Sequence, residues 1–266
     1  MRMIPPDPTP FPELNQVLDE LVVGAQTVLA QDLVAVVLQG SFAVGDADEH
    51  SDVDWTMVVK EALTPAQVAA LQALHARIYD LPSAWAQHLE GSYFPAAVLQ
   101  QNHDLSQPLW YLDNGSRQLV QSTHCNTLVV RWVVARNGIA LAGPPPATLV
   151  EPFPAEALCR EISATMQAWG GDILAQPDHY YNRFYQGFIV LSYCRMLHSL
   201  ETGTVASKRA GAEWAKASLD PEWRGLIDRT WATRPLPEVS VRTRPDPVDF
   251  ARTLEFVRYA MGKAQE

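Results

Sequence analysis

The segment Leu33-Val-Ala-Val-Val-Leu38 is a continuous, β-branched apolar run that stops at Gln39-Gly40-Ser41, which predicts a buried strand running into a tight turn. A second strand is expected over Asp52 to Val59. From Thr64 to Asp80 the spacing becomes helical, with Thr64 as N-cap, Pro65 at the first helical position and Val68, Leu71, Leu74 and Ile78 along one face. Leu89 to Leu99 reads as strand again. The order strand, turn, strand, helix, strand predicts a small mixed α/β layer. Trp110 to Gly115 carries a turn signal, and Thr127 to Ala135 fits helix or strand equally on periodicity. The proline run Gly143-Pro-Pro-Pro146, with Pro152 and Pro154 after it, is the strongest break in the chain. Beyond it helices are expected over Glu156 to Trp169, Tyr180 to Leu200, Lys208 to Leu219, Glu222 to Thr233 and Val248 to Gly262. The pattern therefore predicts an α+β chain, with a mixed sheet and its helices over residues 1–148 and a helical bundle over 149–266.

Composition narrows this picture mainly by exclusion. The chain has 266 residues, 47% of them apolar and 19% charged, so it can build one large or two medium cores without disulfides or a structural metal. Cys125, Cys159 and Cys194 stand more than thirty residues apart, too far for a zinc or thiol redox motif, and are expected to be reduced and buried. No apolar run reaches the roughly 20 residues of a membrane span. Met1 to Pro10 holds four prolines where a signal peptide would need an apolar core, and is expected to be an arm of a cytoplasmic protein. With 20 basic against 30 acidic residues the formal net charge is −10, and no basic run suggests a nucleic-acid track. The same balance suits a small cationic ligand, although an acidic surface by itself is more often a route to solubility.

The chemistry is concentrated in Gly40 to Asp54, between the first two strands. Asp52 and Asp54 are two apart on the second strand, so their carboxylates project from one face roughly 6.5–7 Å apart. Two such groups repel unless a cation lies between them, and Mg²⁺ takes this kind of oxygen ligand while keeping positions for phosphates. Gly40 allows close approach of the backbone, and the N–H groups and hydroxyl of a Gly-Ser turn can cradle phosphate oxygens. An isolated Asp-X-Asp is usually the solvated face of an edge strand. Its fixed relation to a Gly-Ser at another strand's end favours the ion site.

Gly40-Ser41 followed by Ser51-Asp-Val-Asp54 resembles the nucleotidyltransferase signature, and specifically that of the streptomycin and spectinomycin adenylyltransferases. The resemblance extends through Gly138 to Pro144, Thr202 to Lys208, Ala212-Glu-Trp-Ala215, Pro221-Glu-Trp-Arg224 and Phe256-Val-Arg-Tyr259. It implies a nucleotidyltransferase domain over 1–148 and a helical domain over 149–266, with an active site between them. It further implies that ATP is the co-substrate, that Mg²⁺ is held by Asp52 and Asp54, and that Gly40, Ser41, Ser51, Arg195 and Lys208 position the triphosphate. Tyr259 matches a nucleotide-contacting position, with a core tyrosine as the alternative. Glu90 matches the general base, a role that makes sense because a hydroxyl attacking the α-phosphorus must lose its proton. The implied reaction moves AMP from ATP to a hydroxyl of an aminoglycoside-like, cationic acceptor and releases pyrophosphate. Transfer to a protein side chain or another metabolite is the alternative, as is a nucleotide-binding or toxin–antitoxin module without turnover. The expected enzyme is a cytoplasmic monomer.

Arg195 and Lys208 also have reasons of their own. Phe184, Phe188, Leu191 and Arg195 share one helical stripe, where a guanidinium requires an anion. Lys208 follows Ser207 at a helix N-terminus, a place that favours anions. The chain departs from the family about two turns before Arg195. A drug-facing acid is expected there, and the sequence reads Tyr185-Gln-Gly-Phe188, with Asp178 the nearest upstream acid. Trp110 corresponds loosely to a drug-packing tryptophan, although core packing is the expected role. Asp113, His124 and Cys125 lie in polar stretches expected to line the acceptor pocket, with His124 hydrogen-bonded rather than metal-bound. His179, Tyr180, Tyr181 and Tyr185 form an aromatic cluster, for which core packing is expected of Tyr181 and Tyr185.

Overall fold

A computed structural model describes residues 7–48, 51–234 and 241–265. Most of the N-terminal arm, and Glu49 and His50 of the segment between the first two strands, lie outside the described residues. The chain divides after Phe153 into two compact units.

The first unit opens with a helix, α1 (Pro12–Leu29), that the expectations above do not include. Its buried residues Leu14, Val17, Leu18, Leu21, Val22, Ala25 and Leu29 recur every three or four positions, so one face of the helix is apolar throughout. Phe11 precedes it without a side-chain cap, and Ala30, at φ 47°, ends it. The strands that follow are β1 (Leu33–Leu38), β2 (Val53–Val59), β3 (Leu89–Pro95), β4 (Leu109–Leu112), β5 (Leu119–Ser122) and β6 (Ile139–Ala142). They form one mixed sheet in the order β5-β4-β3-β2-β1-β6, in which β2 and β3 are parallel and the other neighbours antiparallel. The parallel pair is joined through α3 (Pro65–Tyr79), which begins at a capping box: the Thr64 hydroxyl accepts from the Gln67 N–H while the Gln67 side chain accepts from the Thr64 N–H.

Three local expectations change. Gly40-Ser41 is the start of a one-turn helix, α2 (Gly40–Ala43), rather than a simple turn. The strand expected to reach Leu99 stops at Pro95, and Ala96–Gln100 is a short helix, α4. Proline cannot donate to the sheet ladder, so the strand has little reason to continue through it. The ambiguous stretch after Thr127 is helical, α5 (Leu128–Asn137), with the Thr127 hydroxyl accepting from the Val130 N–H.

The two faces of the sheet are covered differently. Trp55, Met57, Tyr93, Leu38 and Val36 pack with α1 and with Leu71, Leu74 and Ile78 of α3. On the opposite face Ala35, Val37, Val58, Phe94, Leu109 and Tyr111 pack with Val98 and Leu99 of α4, with Cys125 of the loop before α5 and with Val134 of α5. The second cluster is smaller, and it leaves one end of its sheet face to polar groups.

The second unit consists of α6 (Ala155–Ala175), α7 (Arg183–Thr202), α8 (Lys208–Ser218), α9 (Arg224–Ala232) and α10 (Pro247–Lys263). The tyrosine-rich start expected for α7 is instead a 3₁₀ turn, Pro177–Tyr180, and the helix begins after Asn182, whose side chain accepts from the Tyr185 N–H. Gly203, at φ 66°, closes α7 in the left-handed conformation that glycine adopts without strain. Gly211 lets α8 lie against the backbone of α7, since a Cβ there would fall 2.7 Å from the Arg195 Cα. Cys125 and Cys194 are buried as expected, but Cys159 is half-buried, with its thiol against the Ser199 and Leu200 carbonyls.

Candidate active site

The strand register places the acidic groups. Asp54 of β2 lies beside Glu90 of β3, and Thr56 beside Ser92 in the next layer, all on the face that carries Val58 and Phe94. Asp52, immediately before β2, shares their parity. One carboxylate oxygen each from Asp52, Asp54 and Glu90 lies within 4.8 Å of the other two. The Glu90 side chain is only 15% exposed. Like charges about 4 Å apart repel by roughly 4 kcal/mol at the effective dielectric of a protein surface, so three carboxylates this close call for a cation or a proton. The three donors are all hard carboxylate oxygens. That set suits Mg²⁺ better than zinc or a softer metal.

Gly40 sits against this group. The Gln39 N–H donates to the Asp54 carbonyl at 2.9 Å, carrying the β1–β2 pairing into the start of α2. A Cβ on Gly40 would fall 1.9 Å from Asp54 Oδ2, and the residue's φ is +61°. The glycine is thus required by the carboxylate of the second strand as well as by its own backbone. Beside it the Ser41 hydroxyl and the Gln39 side-chain oxygen are buried without a hydrogen-bond partner. Ser51 is engaged locally: its hydroxyl accepts from the Asp48 N–H at 3.0 Å and closes the turn before β2.

On the other side of Glu90 stands a residue that the sequence expectations did not assign. The Tyr111 hydroxyl lies 2.7 Å from Glu90 Oε1 and 2.8 Å from Asp113 Oδ1. Burial and the neighbouring Glu90 charge raise the phenol's pKa, so the group remains an O–H donor. His124 Nε2 approaches Glu90 Oε1 at 3.5 Å, and its ring packs 5.3 Å from that of Tyr111. The Glu90 contact raises the His124 pKa against a smaller opposing effect of burial. Cys125, next in the chain, is pushed up to about 12 by burial and is inert as a thiolate.

The loop that carries His124 is fixed by Arg131, whose side chain is fully buried. The guanidinium donates to the carbonyls of Gln101, Thr127 and Val98 and to Asn126 Oδ1. Asn126 Nδ2 in turn donates to the Gln107 carbonyl at 2.8 Å. Asp113 is placed by the turn after β4, where the Gly115 N–H donates to the Gln87 carbonyl and His88 Nδ1 bonds Asn114 Oδ1. Trp110, one residue before Tyr111, points to the opposite face of the sheet and packs on the α1/α3 core.

The other expected site residues lie in the helical unit. Arg195 is half-buried on α7 beside Gly211 of α8. Lys208 is the first residue of α8, where the Ser207 hydroxyl caps the Ala210 N–H, and its ammonium lies 5.4 Å from the centre of the Phe188 ring. Tyr259 stacks with Phe256 and packs at a tilt against Trp223, and burial raises its pKa. Gln186 does not present itself to a ligand: it is 6% exposed, and its amide reaches the Thr230 and Thr253 hydroxyls at 3.4 Å each. Tyr185 packs against Tyr180 and Phe184, and Tyr181 against Phe250. Asp178 and His179 are exposed in the 3₁₀ turn before α7.

A mixed sheet with a Gly-Ser at the end of one strand, a carboxylate just before the next strand and one on each of the next two is the arrangement that the resemblance to the nucleotidyltransferases implies. Residues 148–242 match the family model of the aminoglycoside adenylyltransferase C-terminal domain. The chain is 26% identical to an aminoglycoside (3'') (9) adenylyltransferase of Shigella flexneri and to one of Escherichia coli, in each case over 94% of this chain and 95% of the relative. In fold it is similar to the spectinomycin adenyltransferase AAD(9) of Enterococcus faecialis, solved with ATP and spectinomycin, at a TM-score of 0.71 and 15% identity over 95% of this chain and 99% of that one. Over nearly its whole length the chain is thus similar to the aminoglycoside adenylyltransferases.

Proposed function

We propose that the protein transfers AMP from ATP to a hydroxyl of a cationic, aminoglycoside-like acceptor and releases pyrophosphate. The observation that carries this reading is the convergence of Asp52, Asp54 and Glu90 on one sheet face beside Gly40-Ser41. It is supported by the naming of its relatives and by the ATP and spectinomycin bound to a protein of the same fold. Glu90 accepts the proton of the acceptor hydroxyl as that oxygen bonds to the α-phosphorus, and the bond from α-phosphorus to the bridging oxygen breaks as pyrophosphate departs. Asp52 and Asp54 would hold Mg²⁺, which when bound supplies positive charge to the phosphate oxygens. Gly40 and Ser41 lie where backbone and hydroxyl can approach those oxygens, and the unpartnered Ser41 hydroxyl is available to them. Ser51 shapes the strand entry. Arg195, Lys208 and Tyr259 are assigned to the nucleotide by their match to the family's positions.

The acceptor side is where this chain departs from the pattern that the family resemblance implies. Gln186 is committed to the core, and no acid occupies the stretch Tyr185 to Phe188. A missing charge-assisted contact costs about 1.5–3 kcal/mol, one to two orders of magnitude in affinity. Incubation with labelled ATP, Mg²⁺ and a panel of amino-sugar hydroxyl compounds should give a product heavier by one AMP. Streptomycin and spectinomycin are expected to be modified weakly, and Asp54→Asn should abolish all transfer. Absence of a labelled product and of pyrophosphate release across the panel would count against an aminoglycoside-like acceptor.

A further inference from the structure

We propose that Tyr111 is the positioning residue for the base: its hydroxyl holds Glu90 Oε1, which fixes the carboxylate and leaves the second oxygen to take the acceptor's proton. The inference rests on Glu90 being the base, as argued above.

Glu90 is one of three mutually close carboxylates. A glutamate has three rotatable side-chain bonds, and a cation held by Asp52 and Asp54 would draw a free third carboxylate toward itself. A carboxylate committed to the cation has its lone pairs engaged and is a poorer proton acceptor. The 2.7 Å bond from Tyr111 opposes that pull. The tether is itself rigid. Tyr111 is 6% exposed and belongs to the core on this sheet face. Its backbone pairs with Ser92 on one side and Val120 on the other. The His124 ring covers it from a loop that Arg131 secures.

The phenol has one hydrogen and two carboxylate oxygens within reach. Glu90 Oε1 and Asp113 Oδ1 at 2.7 and 2.8 Å cannot both accept it. Asp113 is exposed and can be satisfied by solvent, whereas Glu90 is enclosed, so the hydrogen is assigned to Glu90.

Tyr111→Phe removes one oxygen and keeps the ring. In the variant kcat for AMP transfer should fall at least ten-fold, with KM for ATP and the stabilisation by Mg²⁺ and ATP within two-fold of the parent. In a Glu90→Ala background the same substitution should have no further effect, because its action runs through the missing carboxylate. A crystal structure of Tyr111→Phe should show Glu90 displaced from its parental position. Unchanged kcat, a loss confined to KM, an additive loss in the double variant or an unmoved Glu90 would each overturn the assignment. If the parent protein transfers no AMP, the reading of Glu90 as base fails, and the crystallographic comparison still decides whether Tyr111 tethers it.

Discussion

At Gly40 the geometry of the site depends on the absence of a single methyl group. The residue is left-handed, which costs an alanine about 1–2 kcal/mol, and the space its Cβ would fill is taken by the Asp54 carboxylate. Gly40→Ala should therefore lower thermal stability slightly and move Asp54 away from Asp52 and Glu90. A ligand that binds only the folded state raises its melting temperature, so the increase produced by Mg²⁺ with ATP should be lost in this variant. A variant that keeps the full increase would show that Asp54 can be displaced without consequence. Gly91 is a parallel case without chemistry of its own: a Cβ there would strike the Trp55 carbonyl at 2.1 Å, and its smallness lets Trp55 cover the strand next to Glu90. The periodicity of the sequence could mark Asp54 and Glu90 as strand residues. It could not show that each is flanked by a glycine required by its neighbour in space.

Among the elements, α1 and α5 differ in how legible they were. The apolar period of α1 is regular and Pro12 and Glu13 open it, yet the helix has no side-chain cap and its proline is one of several in the preceding arm, so its start does not stand out. In α5 the Thr127 cap was readable, while the run Leu-Val-Val-Arg-Trp-Val-Val has the β-branched content of a strand. Arg131 resolves the ambiguity, since helical geometry brings its guanidinium to the carbonyls of Thr127, Val98 and Gln101. Arg131→Met should leave these buried acceptors without donors and cost about 3 kcal/mol or more. Chemical denaturation would measure the loss, and a cost under 1 kcal/mol would mean that the loop holds its place without the guanidinium. The four-residue strands β5 and β6 at the sheet edges carry too few positions for a period-two pattern to stand out.

For the whole molecule, stability should depend on pH through a residue outside the site. His75 is buried between α3 and the sheet, stacked on Trp55, with Nε2 2.7 Å from the Tyr93 hydroxyl. Burial lowers its pKa to about 4. The unfolded chain, with an ordinary histidine near pH 6.5, binds the proton first, so this group contributes nothing above that pH and destabilises the fold progressively as pH falls from about 6.5 toward 4. At roughly 1.4 kcal/mol per pH unit the loss reaches about 3 kcal/mol. Unfolding free energies measured across this range should show the slope, and His75→Gln should flatten it. An equal slope in the variant would assign the acid sensitivity to other groups.

By itself the sequence determined the elements whose physics is local: the β1 run, the capped α3, the proline break, the helical character of the second unit and the presence of Asp52, Asp54 and Glu90 as candidate carboxylates. Strand periodicity could place Asp52 and Asp54 on one face, because parity is a property of adjacent residues. The pairing of β2 with β3 and of β3 with β4 was decided only in three dimensions. That register sets Asp54 beside Glu90, Ser92 beside Tyr111, and so the Tyr111 hydroxyl against a base 21 residues earlier in the chain. The same holds for Gln186, in the stretch where a drug-facing acid is expected, which the packing of α7 with α9 and α10 turned toward two buried threonines. Local interactions fix what each segment is, and long-range packing decides which side chains meet.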